Sequence, residues 1–275
     1  MAGNEYLDQD EAQGERGKMH RLFDLSGKVA VLTGASKGMG LAMATALAEH
    51  GARVVISSRK QDQLDAAAAA INDAVGAKRA VGIACNVGYK EQLGALIEKT
   101  RADLGPIDVV VGNAGVNPYY GVTSEIPDSA YEKTMQANVQ ANLWLAQLAV
   151  PDMVARGAGS MMFTSSIGAF KPSVMLGTYG MSKLALIGLV RNLAAEFGPS
   201  GVRFNAICPG LVRTDFAREL WDNPEVENRI SKDIPLRRLG SPEDFAGLAV
   251  YLASDASAYM TGQALTVCGG SNMWT

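Results

Sequence analysis

Between an apolar run, Lys28-Val-Ala-Val-Leu-Thr33, and a segment with apolar residues at helical spacing, Gly38 to His50, the chain reads Thr33-Gly-Ala-Ser-Lys-Gly-Met-Gly40. No other stretch restricts the fold as much. The run reads as a buried strand, and the glycines let the backbone turn tightly from it into a helix. The amino-terminal end of such a helix faces an anion with free N–H groups and positive dipole, the arrangement that binds a dinucleotide pyrophosphate. The spacing, Gly-x-x-x-Gly-x-Gly, is one residue longer than the common fingerprint. Its place after the first strand and before the first helix gives it weight.

The rest of the chain repeats that alternation. Strands are expected at Arg53–Ser57, Arg79–Ala84, Ile107–Gly112, Gly159–Ser165, Val202–Ile207 and Ala264–Val267, and helices at Gln61–Ala74, Lys90–Leu104, Ala130–Ala155, Thr178–Phe197 and Pro242–Leu252. Pro151 is expected to start a new turn near the end of the long helix. Ser241 is a good N-cap with proline at the first helical position. Strands alternating with helices imply an α/β fold: a Rossmann-like, doubly wound parallel sheet in three layers with right-handed crossovers. No linker divides the chain. One domain is expected over residues 23–275, with its substrate loop at 211–240, preceded by a loosely attached polar tail over 1–22.

Apolar residues make up 48% of the 275 and charged ones 19%, enough for a large core. The net charge of -3 speaks against nucleic acid or an anionic membrane as partner. No apolar run is long enough to span a bilayer, and the acid-rich start is neither a secretory signal nor a transit peptide. The three cysteines, Cys85, Cys208 and Cys268, are far apart, and the two histidines, His20 and His50, complete no ligand cluster. A cytoplasmic, reduced protein without a metal site is expected.

At the end of the second strand, Ile56-Ser57-Ser58-Arg59-Lys60 has no carboxylate to take ribose hydroxyls. Arg59 suits a 2′-phosphate instead, through charge-assisted hydrogen bonds. Lys37 adds a second cation and Ser58 a hydroxyl. NADP(H) is the cofactor expected; a solvated loop carrying two idle cations is the plain alternative.

Tyr179 and Lys183 stand four apart at the start of an apolar helical pattern, so both side chains share one face. A nearby ammonium is expected to lower the phenol from its ordinary value near 10 and make Tyr179 a general acid or base. Ser166 ends the fifth strand, where open α/β sheets bind ligands. By itself Tyr-x-x-x-Lys is common on helices; the surrounding pattern singles it out.

Together these residues resemble the short-chain dehydrogenase/reductase family, from about Leu25 to Gly270. The resemblance rests on Thr33 to Gly40, Asn113-Ala-Gly115, Asn138, Ser166, Tyr179-x-x-x-Lys183 and Pro209-Gly210, in the family's order and intervals. It implies that Tyr179 donates a proton to a carbonyl oxygen, Ser166 holds that oxygen, and Lys183 lowers the tyrosine pKa and binds ribose. It implies too that Asn138 holds a relay water. Gly34, Ser36, Lys37, Gly38, Met39, Gly40, Ser58, Arg59, Asn86, Val87, Asn113, Ala114, Gly115, Tyr179, Lys183, Pro209, Gly210, Val212 and Thr214 would contact the cofactor. Three positions depart from the family pattern. Gly112 replaces an asparagine, at an expected cost in rigidity rather than activity. Asn86 replaces an acid, and Cys268 replaces the aspartate before Gly-Gly. In texture, Asn117-Pro118, Ser166-Ile-Gly-Ala-Phe-Lys-Pro172 and Arg237-Arg-Leu-Gly-Ser-Pro-Glu-Asp244 are similar to NADP-dependent retinal and carbonyl reductases of the family.

A substrate pocket is expected from Pro118, Tyr119, Ile167, Phe170, Met175, Leu211 and Trp221, with Tyr120, Phe216 and Leu220 nearby. About half of this set, Trp221 and Phe216 foremost, reads equally as core or subunit contact. The apolar lining suits a neutral ketone, aldehyde, α-dicarbonyl or secondary alcohol. Arg213 and Lys171 are the cations that could meet a carboxylate. A 3-oxoacyl thioester reductase is the first alternative, although only Arg156 offers charge near Pro151–Gly159 for an acidic carrier. A non-catalytic cofactor-binding regulator is the alternative from another class; the intact Asn138, Ser166, Tyr179 and Lys183 set speaks against it. An enoyl reductase would want a wider Tyr–Lys spacing. The resemblance implies a homotetramer, with Asn138–Leu148 and Leu184–Leu193 as candidate packing faces.

Overall fold

A computed structural model describes residues 21–273. The expectation of a loose tail falls mostly on residues 1–20, outside the described ones; Leu22 accepts a backbone bond from Ala256. The chain builds one seven-stranded sheet with all neighbouring strands parallel, in the order β3-β2-β1-β4-β5-β6-β7. The strands are β1 Val29–Thr33, β2 Arg53–Ser58, β3 Ala80–Ala84, β4 Val109–Gly112, β5 Gly159–Thr164, β6 Val202–Pro209 and β7 Ala264–Val267. Every residue of β1 and β4 is buried, which is why these runs are apolar throughout and do not alternate.

The helices α1 Gly38–Glu49, α2 Gln61–Val75, α3 Lys90–Leu104, α4 Asp128–Met135, α5 Ala141–Arg156, α6 Gly177–Phe197, α7 Arg218–Trp221, α8 Pro224–Asp233 and α9 Ala246–Ala253 complete the elements used below. Two apolar clusters lie on opposite faces of the sheet. One gathers Leu145, Met153, Phe163, Leu186, Ile187 and Phe204; the other gathers Leu32, Met43, Leu47, Leu64, Ile71 and Phe245. Each such side chain, fully buried, contributes about 1.5–3 kcal/mol against remaining in water. The sheet is therefore covered on both sides, a three-layer, Rossmann-like single domain.

Two sequence expectations need correction, and one element lies outside them. The long helix expected over Ala130–Ala155 is divided by a π-helical turn at Gln136–Gln140. Pro151 starts no new turn: α5 runs through it to Arg156. The segment after β6 holds helix α8, which no expectation covered; Asn223 caps it by accepting from Glu225 N (2.9 Å), with Pro224 in the first turn.

The strand order reverses beside β1, between β2 on one side and β4 on the other. A crevice opens at the carboxyl ends of the strands at such a reversal.

Candidate active site

The loops after β1, β4 and β5 meet in this crevice, and Asn113 ties them together. Its Nδ2 donates to the Gly34 carbonyl (2.9 Å), and its Oδ1 accepts from Thr164 Oγ1 (3.1 Å). Ala114 N adds a bond to Thr33 Oγ1 (3.3 Å). Asn113, expected on the adenosine side, thus spends its amide holding the glycine loop to the sheet.

Ser166 leaves β5 and opens a short 3-10 turn, Ile167–Ala169, with its Oγ accepting from Gly168 N (3.0 Å). Tyr179 lies in the first turn of α6 and Lys183 one turn later. The Lys183 ammonium sits 5.5 Å from the Tyr179 ring centroid and donates to the Thr164 carbonyl (2.8 Å). Ser165 Oγ fastens the same helix by donating to Lys183 O (2.7 Å).

Asn138 lies in the π-turn, a feature that often marks functional sites. Its side chain is fully buried: Oδ1 accepts from Val116 N (2.8 Å), and Nδ2 donates to Val116 O (3.0 Å) and to Ser182 Oγ (3.0 Å). Both amide hydrogens are therefore used, so a water bound by this side chain would have to donate to Oδ1. A Cβ at Gly115 would lie 3.2 Å from Lys183 Nζ and 3.3 Å from Asn138 Oδ1. That glycine keeps open the space between ammonium and amide.

Burial governs the protons here. It pushes the Tyr179 phenol up to about 12, with a hydrogen-bonding interaction from Ser166 drawing it partly back. It also draws Lys183 down to about 8, against the pull of neighbouring Cys208. Against the expected lowering by the ammonium, the phenol is raised by desolvation, and Lys183 Nζ donates to the Thr164 carbonyl. Tyr179 holds its proton at neutral pH.

On the other side of the reversal, Ser58 Oγ is buried with no hydrogen-bond partner. An orphaned hydroxyl costs about 1–3 kcal/mol, and this one stands at the tip of β2, where a ligand oxygen could satisfy it. Arg59 beside it is exposed, with neither a hydrogen bond nor an ion pair to any described residue. These groups and the glycine loop fit a phosphate-bearing dinucleotide. Lys37, expected to join them, instead pairs with Asp215 (2.6 Å). Asn86 Oδ1 accepts from Gly88 N (3.1 Å), and Met39 packs on the core. At the end of β6, Gly210 N bonds Val267 O (2.9 Å), Val212 is buried, and Thr214 is half-buried.

The expected substrate residues are only partly gathered. Met175 O accepts from Gly121 N (3.0 Å), so the loops carrying Tyr119 and Met175 adjoin. Tyr119 bonds Val122 O (3.3 Å) within its own turn, and Phe170 packs against the sheet core. Leu211 faces a separate cavity of about 150 Å³ with Ile234, Leu236 and Cys268. Trp221 donates to Thr214 O (3.0 Å) and braces that segment. Pro118 is exposed and Ile167 half-buried. Phe216, set beside Trp221 as a core or subunit contact, is 60% exposed, with its ring 6.1 Å from that of Tyr179. It is the aromatic neighbour of the tyrosine that sequence reasoning set aside. Lys171 bonds Ser271 O and Arg213 pairs with Glu227, so neither cation is idle. A larger cavity of about 520 Å³ opens at the amino ends of the strands, beside Asp108, Ser160 and Arg203, remote from this chemistry.

Gly112 receives a different account from the sequence. A Cβ there would overlap Asn142 Oδ1 and stand 2.6 Å from Phe163 Cδ1. Asn142, buried, donates to the Asn138 carbonyl (2.9 Å). The glycine makes room for an asparagine on the neighbouring helix and is required, not a loss of rigidity.

The family described as enoyl-(acyl carrier protein) reductase has a sequence model that matches residues 34–272. Dehydrogenase/reductase SDR family member 4 of Homo sapiens is 40% identical, covering 92% of this chain and 90% of its own. A gluconate 5-dehydrogenase from Burkholderia cenocepacia, solved with NADP and tartrate, superposes with TM-score 0.87 at 29% identity over 94% of this chain and 100% of its own. A 7 alpha-hydroxysteroid dehydrogenase, solved with NADH and 7-oxo glycochenodeoxycholic acid, gives 0.86 at 33% over 91% and 96%. The chain belongs to the short-chain dehydrogenase/reductase family. It is an oxidoreductase of that family, whose members use a nicotinamide cofactor.

Proposed function

We propose that the protein is an NADP(H)-dependent carbonyl reductase, interconverting a neutral ketone, aldehyde or α-dicarbonyl with its alcohol. The observation that carries this is the crevice itself. Protonated Tyr179, Ser166 and Lys183 adjoin on one side, and Ser58 and Arg59, their side chains without partners among the described residues, stand at the other.

Tyr179 gives its phenolic proton to the carbonyl oxygen. Held at about 12, it is still a far stronger acid than the alcohol that forms. Ser166 Oγ hydrogen-bonds the same oxygen and fixes it near the phenol. Lys183, its ammonium buried beside the phenol and held by the Thr164 carbonyl, would bind the ribose hydroxyls of the nucleotide. It would pass to Tyr179 a proton that it regains from solvent. Asn138 clamps the Val116 peptide and Ser182, which keeps Lys183 and Tyr179 in register. Asn113 ties the loops together, Gly115 keeps the space beside Lys183 open and Thr214 seats against the glycine loop, while Pro209, Gly210 and Val212 would meet the nicotinamide amide. The nicotinamide, when bound, supplies the hydride.

The cofactor preference rests on Arg59 and the missing carboxylate after β2; related folds hold either NADP or NADH, so the fold does not select. A thioester reductase finds less support, because Arg156 is already engaged with Asp108 (3.3 Å) and Ile107 O. The aromatic and aliphatic surface at Tyr120, Met175 and Phe216 supports a neutral apolar substrate. No helix among the described residues is long and apolar enough to cross a membrane. A cytoplasmic homotetramer is part of this proposal. Exposed Met181 and Leu184 on α6 support subunit packing.

Initial rates with NADPH and NADH across neutral ketones, α-diketones and acetoacetyl thioesters test the proposal. NADPH-linked reduction of the neutral carbonyls is the expected result. Activity confined to thioesters would reassign the enzyme to acyl chemistry.

A further inference from the structure

The short turn Asp215–Ala217 lies between two parts of the site. Asp215 Oδ2 accepts from Lys37 Nζ in the glycine loop (2.6 Å), and its Oδ1 accepts from Arg218 (2.8 Å). Thr214 seats against that loop, with its Cγ2 3.3 Å from where a Cβ of Gly38 would be. Phe216, the next residue along, lies beside the Tyr179 ring. One ion pair therefore joins the loop that faces nucleotide phosphates to the segment that covers the tyrosine.

We propose that Asp215 is a positioning residue that competes with a nucleotide phosphate for Lys37, so that cofactor binding releases the segment carrying Phe216. The inference rests on the reading of the glycine loop as the nucleotide site. Both partners of the pair are well exposed, 65% and 46% in their side chains, and such pairs are weak. The pyrophosphate, with two charges over its two phosphates, and the 2′-phosphate monoester each present more negative charge to an ammonium than one carboxylate does. Asp215 keeps Arg218 when Lys37 leaves, so its charge is not stranded. The competing phosphate is either the pyrophosphate or the 2′-phosphate.

Titrations of NADP⁺ and NAD⁺ into the full-length protein and its Asp215→Asn variant decide this, read by calorimetry. Trp221, bonded to Thr214 O, offers a second readout through its fluorescence in a Trp144→Phe/Trp274→Phe background. Removing the competitor is expected to tighten nucleotide binding by roughly two- to fivefold, the size of an exposed ion pair. Equal gains for both nucleotides assign the pyrophosphate; a gain for NADP⁺ alone assigns the 2′-phosphate. The KM for a neutral ketone at saturating NADPH should stay within about twofold, since Lys37 has then already left Asp215. A purely structural Asp215 would move that KM. Asp222→Asn, which removes a charge from the same segment without touching Lys37, should leave nucleotide affinity as in the parent. Unchanged or weaker binding in Asp215→Asn, or an equal gain in Asp222→Asn, overturns the competition. A parent protein that binds neither nucleotide would overturn the cofactor reading as well, and so separates the two failures.

Discussion

Asn142 occupies the space that a side chain at Gly112 would need, although the two residues sit on different elements, β4 and α5. The pair behaves as one packing unit, with Asn142 in turn holding the carbonyl of Asn138. Gly112→Ala should therefore destabilise the protein by about 1–3 kcal/mol through overpacking. Asn142→Ala removes both the obstacle and a hydrogen bond worth about 1 kcal/mol. The double variant should lose less than the sum of the two, a coupling visible in urea denaturation midpoints. Strict additivity would show that the two side chains do not share the space.

Replacing Tyr179 by Phe keeps the ring and removes the proton. Turnover should fall by about 10²–10⁴, the usual contribution of a general acid. NADP⁺ affinity, measured by calorimetry, should change little. Retained turnover would move the proton donor elsewhere.

The Arg59 side chain has no hydrogen-bond or ion-pair partner among the described residues. Changing it to Asp should favour NADH over NADPH, because a carboxylate repels the 2′-phosphate and binds ribose hydroxyls. Loss of a charged hydrogen bond of about 1.5–3 kcal/mol predicts a shift of roughly 10- to 100-fold in the ratio of kcat/KM values. An unchanged ratio would point to Lys37 as the discriminating cation.

The pH dependence follows from Lys183 and Tyr179. The ammonium is charged below about 8 and lost above it, so kcat/KM for reduction should decline through that range. Lys183→Met should abolish the break. Tyr179 stays protonated to about 12, so the oxidative direction, which needs the phenolate, should gain with rising pH. Stability carries the opposite sign for the lysine. Its folded value lies below the 10.5 of an ordinary lysine, so between about 8 and 10.5 the unfolded chain binds the extra proton. Cys85, Cys208 and Tyr179, whose folded values are raised, act with the opposite sign over the upper part of that window. The lysine contribution should therefore appear as unfolding free energy rising with pH in the parent relative to Lys183→Met. A flat kcat/KM profile through pH 8 would remove Lys183 from the proton path.

Much of this architecture is written in local pattern. Buried runs such as Val29–Thr33, the glycine loop and the Tyr179–Lys183 spacing depend on neighbours in the chain, so they could be read directly. What could not be read depends on partners distant in sequence. Nothing near Asn138 announces a π-turn, and nothing near Gly112 announces Asn142. The raised phenol of Tyr179 comes from the depth of its surroundings, which spacing does not encode. Phe216 looked like packing because an aromatic in a polar segment carries no sign of where its ring ends up. Helix α8 carries a start signal in Asn223-Pro224 followed by Glu225, but too few apolar residues follow for a helical periodicity to mark it.

The strand order has one further consequence. Residues 58–60, which the proposed reading sets against the cofactor's adenosine, stand on one side of the reversal; Ser166, Tyr179 and Lys183 stand on the other. Between them runs β1, with Asn113 spanning the gap to its glycine loop. Changes that retune which nucleotide is accepted can accumulate at the β2 tip without disturbing proton transfer. The two properties are modular, and a redesign could exchange one while inheriting the other intact.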